Sequence, residues 1–273
     1  MVLQQENAAV DSSAVITDIT GQFQAMKLPR LATQDLYLGM PFPILEKIHK
    51  ALSEQRFEDE NKRFVNRLRL SGIVRDRSAD TFKWDNDTYP LAEPGVIECA
   101  MSIDFVKRRK NLIVAGPPGT GKSMMVIVVA CKAIRAGFSV KYKSAHDIAV
   151  ELKEARAGKC LSAYIKKLKA CDVLIMEDVV FASFDKSTAQ SFFSLIDGRY
   201  GQKTTIITSN GSINEWAASF PDKRMSSAIL GRFYEDAILV NMNGAVDMRL
   251  KRAKGLLDIK DTDGSNTGGG YEE

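Results

Sequence analysis

Apolar runs of about five residues alternate with longer stretches of helical period from Asn111 to Ser209. Asn111-Leu112-Ile113-Val114-Ala115 is the first run, and Met124 to Ala136 follows as a helix that stops at Gly137. Ser139 to Tyr142 reads as the next strand. Ser144 is placed to cap a helix from Ala145 towards Gly158, and Leu161 to Ala170 suits another. Asp172 to Met176 contains Val-Leu-Ile-Met, too apolar for a solvated edge. Ser187 to Tyr200 has helical period, and Thr204 to Thr208 is a further apolar strand. Alternation of this kind predicts an α/β fold, a parallel sheet with helices on both faces and ligands at the carboxyl ends of the strands.

The flanks differ from this core. Residues 1–27 are polar and weakly patterned and are expected to be a flexible lead-in. Leu28 to Tyr37 suits a short helix. Pro41 and Pro43 then punctuate the chain, and Ile44, Ile48, Leu52, Phe64 and Leu68 mark a long helix that Ser71-Gly72 closes. Residues 28–79 therefore read as a small helical module and 80–255 as the α/β domain, with Asp80 to Pro94 as a connector. The Gly-rich end, 256–273, is expected to be disordered. No internal repeat is present.

Composition narrows the setting. A chain of 273 residues has room for one α/β domain and a smaller appendage. A net charge of +4 is compatible with nucleic acid without requiring it. Cys99, Cys131, Cys160 and Cys171 have no C-x-x-C spacing, and no cysteine precedes Cys99, which argues against a zinc ribbon, a disulfide framework or a cysteine-liganded zinc site in the N-terminal region. They read as buried small residues of a reducing compartment. With no leader-like opening and no membrane-length apolar run, the expectation is a cytoplasmic protein with no membrane partner.

The strongest chemical signal joins the first strand to the first helix. Gly116-Pro117-Pro118-Gly119-Thr120-Gly121-Lys122-Ser123 fits G-x-x-x-x-G-K-[ST], in which glycines let backbone N–H groups turn inward around phosphate oxygens. Lys122 is placed to reach the β- and γ-phosphates, Ser123 to ligate Mg²⁺, and Met124 opens the helix whose N-terminus completes the anion site. ATP with Mg²⁺ is the expected ligand. Val173 to Met176 ends in Glu177-Asp178, either the acid pair of a nucleotide hydrolase or two solvated acids at a strand end. Asn210, after the next strand, can orient an attacking water or serve as a turn or cap residue.

These motifs, with Phe193-Ser194-Leu195-Ile196-Asp197-Gly198-Arg199-Tyr200, the run Ile206-Ile207-Thr208-Ser209-Asn210 and Ala228-Ile229-Leu230-Gly231-Arg232-Phe233, resemble the DnaC/IstB group of AAA+ ATPases over about Asn61 to Arg249. The resemblance implies an ASCE-type ATPase core that assembles head to tail in a ring or spiral. It makes Asn210 the sensor-1 residue, Arg232 the arginine finger offered to a neighbouring subunit and Arg249 the sensor-2 arginine. Surface arginines, or an Arg232–Asp236 pair on one helix, are the structural alternatives. Where the family carries Asp and then Asp or Glu, this chain carries Glu177 in the metal-side place and Asp178 in the water-activating place. One methylene at each position is expected to slow hydrolysis.

The resemblance also implies partners. Lys153, Arg156, Lys159, Lys166, Lys167 and Lys169 fall where the family faces single-stranded or duplex DNA, although a solvated basic face would look the same. Tyr142, Tyr164 and Phe138 are either stacking surfaces or core. Lys107-Arg108-Arg109-Lys110 suits a helix C-terminus better than a DNA patch. Arg67 to Ile73 and then Thr81-Phe82 resemble the stretch before the core of DnaC-type loaders, which would put Phe82 near the base. The first expectation is a loader of a replicative DNA helicase, and the alternative an IstB-type helper that contacts a transposase. A nucleotide-gated adaptor with negligible hydrolysis is the third.

Overall fold

Five short strands lie parallel in the order β2-β3-β4-β1-β5: β1 is Leu112–Ala115, β2 Val140–Ser144, β3 Val173–Glu177, β4 Thr204–Ser209 and β5 Ile238–Asn241. The structure is a computed structural model that describes residues 2–74 and 88–250, with the side chains of 2–11, 213 and 214 left aside. Each expected strand is present within one or two residues of its predicted ends. The strand β5 was not expected. It is a short edge strand with mixed burial, so no clean period marks it.

Strand order sets the site. β4 lies between β1 and β3, so the carboxyl ends of the phosphate-loop strand and the acid strand flank that of β4. Register places Ile113 opposite Ile207 and Leu239, and Leu174 opposite Thr205. Ile113, Leu174, Met176 and Ile207 point to one face. There they pack with α6 (Ala145–Ala157), α7 (Leu161–Ala170), α8 (Lys186–Asp197), α9 (Ile213–Ala218) and α10 (Lys223–Tyr234). The helix α5 (Lys122–Arg135) buries Met125, Val126, Val128 and Val129 outside that cluster and contacts β1 to β4. Burial on both faces explains why the strands read as continuous apolar runs.

The helix caps follow the sequence closely. Ser144 accepts from Asp147 N–H at 2.9 Å at the start of α6. Ser212, not Asn210, caps α9 through a capping box with Glu215. Cys131 and Cys171 are buried, but Cys99 and Cys160 are exposed, which corrects the expectation of four buried thiols.

The chain divides into two compact units at Val65/Asn66. In the first, the expected lead-in is instead a helix, α1 (Val2–Ala25), followed by turns and by the greater part of α2 (Phe42–Ser71), within which the boundary falls. Ile16 and Ile19 of α1 bury against Tyr37 and Leu45, with Val15, Phe23, Ile48 and Leu52 alongside, so α1 does carry an apolar stripe of helical spacing. The short helix expected over Leu28 to Tyr37 shrinks to a 3-10 turn, Gln34–Leu36. In the second unit, α3 (Pro94–Ser102) and α4 (Asp104–Lys107) precede β1, and α4 ends at the start of the basic run as expected. The 256–273 tail, Phe82 and most of the expected connector lie outside the described residues.

Candidate active site

The phosphate loop is shaped by its glycines. Gly119 and Gly121 have φ of +81° and +93°, which L side chains avoid. At Gly119 a Cβ would also sit 2.2 Å from Asp247 Oδ1. The loop is closed from outside by the Met248 N–H donating to Gly119 O at 3.0 Å, and Gly116 N–H donates to Ser209 O at 3.1 Å. Thr120 Oγ1 donates to Pro117 O at 2.9 Å. The result is a backbone cradle at the N-terminus of α5, the environment a polyphosphate requires.

Lys122 is 5% exposed, and its Nζ donates to Gly116 O at 2.6 Å and Pro117 O at 2.7 Å. Burial lowers its pKa; Asp178 opposes this, Arg249 adds to it, and Glu177 opposes it in turn. The ammonium thus lies within the field of both acids. Ser123 is exposed beside it and Met124 is half-buried. Among the described residues no group of three His, Cys, Asp or Glu could hold a metal alone. A site of another kind would suit Mg²⁺, with Ser123 and Glu177 as candidate protein oxygens and phosphates for the rest.

The acid pair ends β3. Asp178 has φ +55° and ψ +54°, a left-handed conformation that Asp tolerates better than longer residues. Its N–H donates to Thr208 Oγ1 at 3.0 Å, and Asn210 Nδ2 donates to its Oδ1 at 2.6 Å. Burial and then the Glu177 carboxylate raise the Asp178 pKa, against Lys122, Asn210 and Arg249. Glu177 accepts from the Tyr142 hydroxyl on β2. Nothing in the sequence marked Tyr142 for this contact, because β2 and β3 come together only in the sheet.

Arg249 joins the cluster. Asp247 Oδ1 accepts from the Arg249 N–H at 2.8 Å, and the arginine's charge acts on both Lys122 and Asp178. Arg232 does not join it. Among the described residues it makes no hydrogen bond or ion pair with the phosphate loop or the acids. Instead its Nε donates to Asp197 Oδ1 at 3.0 Å, and Nη2 lies 2.8 Å from the same oxygen as an ion pair. The alternative partner Asp236 lies beyond the end of α10 and pairs with Lys110 at 3.6 Å.

The basic residues of α6, α7 and the turn between them separate into two groups. Lys153 pairs with Asp185 at 3.3 Å, and Arg156 donates to Ser187 O and Ser191 Oγ at 2.8 and 2.6 Å, tying α6 to α8. Lys169 lies against Gly198, with Nζ 3.5 Å from Ser194 Oγ. Lys159, Lys166 and Lys167 are exposed. Tyr164 donates to Glu151 Oε2 at 2.6 Å instead of presenting a bare ring.

Known proteins similar to this chain are of two kinds. The protein named as the ATP-binding protein of insertion sequence IS5376 in Geobacillus stearothermophilus is 28% identical over 199 residues, 73% of this chain and 78% of its own. Its counterpart named for IS232 in Bacillus thuringiensis subsp. berliner is 24% identical over 231 residues, 83% of this chain and 92% of its own. Among solved structures, AMPPCP-bound DnaA from Aquifex aeolicus aligns with a TM-score of 0.52 at 23% identity, covering 67% of this chain and 54% of that one. The DnaC helicase loader aligns with a TM-score of 0.50 at 19% identity, covering 60% and 96%. At those identities the two structures share its fold, that of the AAA+ proteins. Residues 40–255 match the family described as IstB-like ATP binding protein, and with the phosphate loop, acid pair and sheet order in place, the chain belongs to that family.

Proposed function

We propose that this chain is an ATPase helper of DNA transposition, which binds ATP with Mg²⁺, assembles head to tail on duplex DNA and engages a transposase. The observation that carries the ATPase reading is the Asn210–Asp178 hydrogen bond of 2.6 Å, which gathers an acid and an amide within the field of Lys122. Gly116 to Met124 bind the phosphates, and Ser123 and Glu177 hold Mg²⁺, which when bound screens phosphate charge. Asp178 accepts the proton of the attacking water, and its raised pKa makes it a stronger base than an ordinary carboxylate. Asn210 orients that water, Arg249 neutralises phosphate in the same subunit, and Arg232 does so for the next. Placement of Arg232 away from its own phosphate loop supports that last role.

Choice of partner rests on the relatives. Those aligned by sequence are named for insertion sequences, whereas the helicase loader is related at the level of fold. The transposition reading is therefore preferred to the loader reading. The helical first unit is the proposed partner contact.

The test is ATP hydrolysis with and without duplex DNA, together with binding of the transposase from the same element and of the host's replicative helicase. DNA-stimulated turnover and an ATP-dependent transposase complex are expected, both lost in Lys122→Ala. Helicase binding without transposase binding would return the loader reading. Phosphate release that stays flat with every partner would leave a nucleotide-gated adaptor.

A further inference from the structure

Arg232 is held by one face of α8. Phe193, Asp197 and Tyr200 are spaced i, i+4 and i+7 from the middle of that helix to just past its end, so they line one side of it. Arg232 Cζ lies 4.8 Å from the centre of the Phe193 ring and 5.9 Å from that of Tyr200. Asp197 Oδ1 accepts from Nε at 3.0 Å and lies 2.8 Å from Nη2 as an ion pair, and Nη1 donates to Ala228 O at 2.8 Å. A guanidinium has five N–H groups. Two donate here, one from Nε and one from Nη1, which leaves N–H groups on both terminal nitrogens for an incoming oxygen.

The backbone under Arg232 is fixed as well. Asn111, at the entry to β1, donates through Nδ2 to Arg232 O at 3.0 Å and to Phe233 O at 3.3 Å. Asp197 itself is 52% exposed, and Arg232 is 27% exposed. A pair this open contributes little to folding, so the fold does not account for a hydrogen-bonded ion pair and two cation–ring contacts on one arginine. Asp197 also sits two residues before Arg199, which is fully buried and bonded to backbone carbonyls. The two ends of Asp197-Gly198-Arg199 thus face opposite ways, one into the core and one onto the surface.

We propose that Asp197 is a positioning residue for Arg232, orienting its guanidinium towards the phosphate bound by the adjoining subunit. This rests on the reading of Arg232 as a finger acting on that subunit. A free arginine side chain samples many rotamers and must lose them as it meets the transition state. One already paired with a carboxylate oxygen and lying over aromatic rings has lost most of them beforehand.

Hydrolysis by the full chain assembled on duplex DNA tests this, with Asp197→Ala, Asp197→Asn, Arg232→Ala and the double Asp197→Ala/Arg232→Ala compared after circular dichroism and light scattering verify fold and assembly. Asp197→Ala should lower kcat about tenfold with KM for ATP within about twofold. Asp197→Asn, which keeps an acceptor oxygen, should recover part of the loss. The double variant should match Arg232→Ala alone, because a residue that acts through Arg232 has nothing left to act on. Unchanged or raised kcat in Asp197→Ala would overturn the proposal, as would a further loss of similar size in the double variant. Normal hydrolysis by Arg232→Ala would instead remove the finger reading, and the proposal with it, whatever Asp197→Ala does.

Discussion

The Tyr142 hydroxyl donates to Glu177 Oε2, joining the edge strand β2 to the tip of β3 beside the phosphate loop. Burial, and then the bond to Glu177, push the tyrosine pKa well up, so the phenol stays a donor through the physiological range. If Glu177 holds Mg²⁺, Tyr142 aims that carboxylate. Tyr142→Phe is expected to raise the Mg²⁺ concentration for half-maximal hydrolysis about tenfold. A magnesium titration at saturating ATP checks this, and an unchanged midpoint would leave Tyr142 a packing residue.

Asp178 carries a testable cost. Its folded-state pKa is raised, by burial first and by Glu177 second. The folded chain therefore binds this proton more readily than the unfolded chain. The group favours folding below its unfolded pKa, and that contribution is lost as pH rises through the folded value. Asp178→Asn should melt higher than the parent at pH 7, with the gap closing as pH falls towards about 4. If Asp178 is the base, turnover should fall by about 10²-fold or more. A variant that melts lower at pH 7 would contradict the electrostatic account.

Arg199 is the opposite case from Asp197. It is 1% exposed and donates to Leu168 O at 2.7 Å, Cys171 O at 2.9 Å and Thr204 O at 2.5 Å, with Nε on Thr205 Oγ1 at 3.2 Å. It gathers the end of α7 and the entries of β3 and β4. Arg199→Met would strand those carbonyls in the core, at a cost of about 3 kcal/mol or more. Chemical denaturation of the full chain measures it, and a loss below about 1 kcal/mol would show that water replaces the guanidinium.

What the sequence made legible is what is local. The phosphate loop is eight consecutive residues, the acid pair is adjacent, and Ser144 caps a helix three residues away, so each could be read from spacing. Partnerships across the fold could not. Tyr142 meets Glu177 across 35 positions, and Arg199 meets Leu168 across 31. The left-handed backbone at Asp178 leaves no trace in composition. The α1 stripe was present but diluted by polar neighbours. β5 is too short, and too mixed in burial, for a period of two to emerge.

Surface basic residues divide by their partners. Lys153 and Arg156 are exposed but tied to α8, whereas Lys166 and Lys167 are exposed on α7. If α7 faces DNA, Lys166→Glu and Lys167→Glu should each weaken duplex binding and reduce the slope of log K against log salt by about 1. Lys153→Glu should change that slope less and instead loosen the α6–α8 contact. Equal slopes for all three variants would remove α7 from the interface.

The reversed order of the acid pair invites the double variant Glu177→Asp/Asp178→Glu, which restores the order the family usually carries. If one methylene at each site were all that limited hydrolysis, this variant would turn over faster. Two contacts argue that it will be slower. Asp at 177 withdraws its carboxylate from the Tyr142 hydroxyl, and Glu at 178 must occupy a backbone with φ +55°, where a longer side chain lacks the local hydrogen bonding that eases Asp into this region. The left-handed residue alone should cost about 1 kcal/mol of stability. It also carries the carboxylate past Asn210 Nδ2, which now lies 2.6 Å from Asp178 Oδ1. The expected result is a lower melting temperature and a kcat below that of the parent, measured on the same DNA-bound assembly. A faster double variant would mean that the Glu-Asp order itself limits the rate, and that the Tyr142 and Asn210 contacts do not set the catalytic geometry.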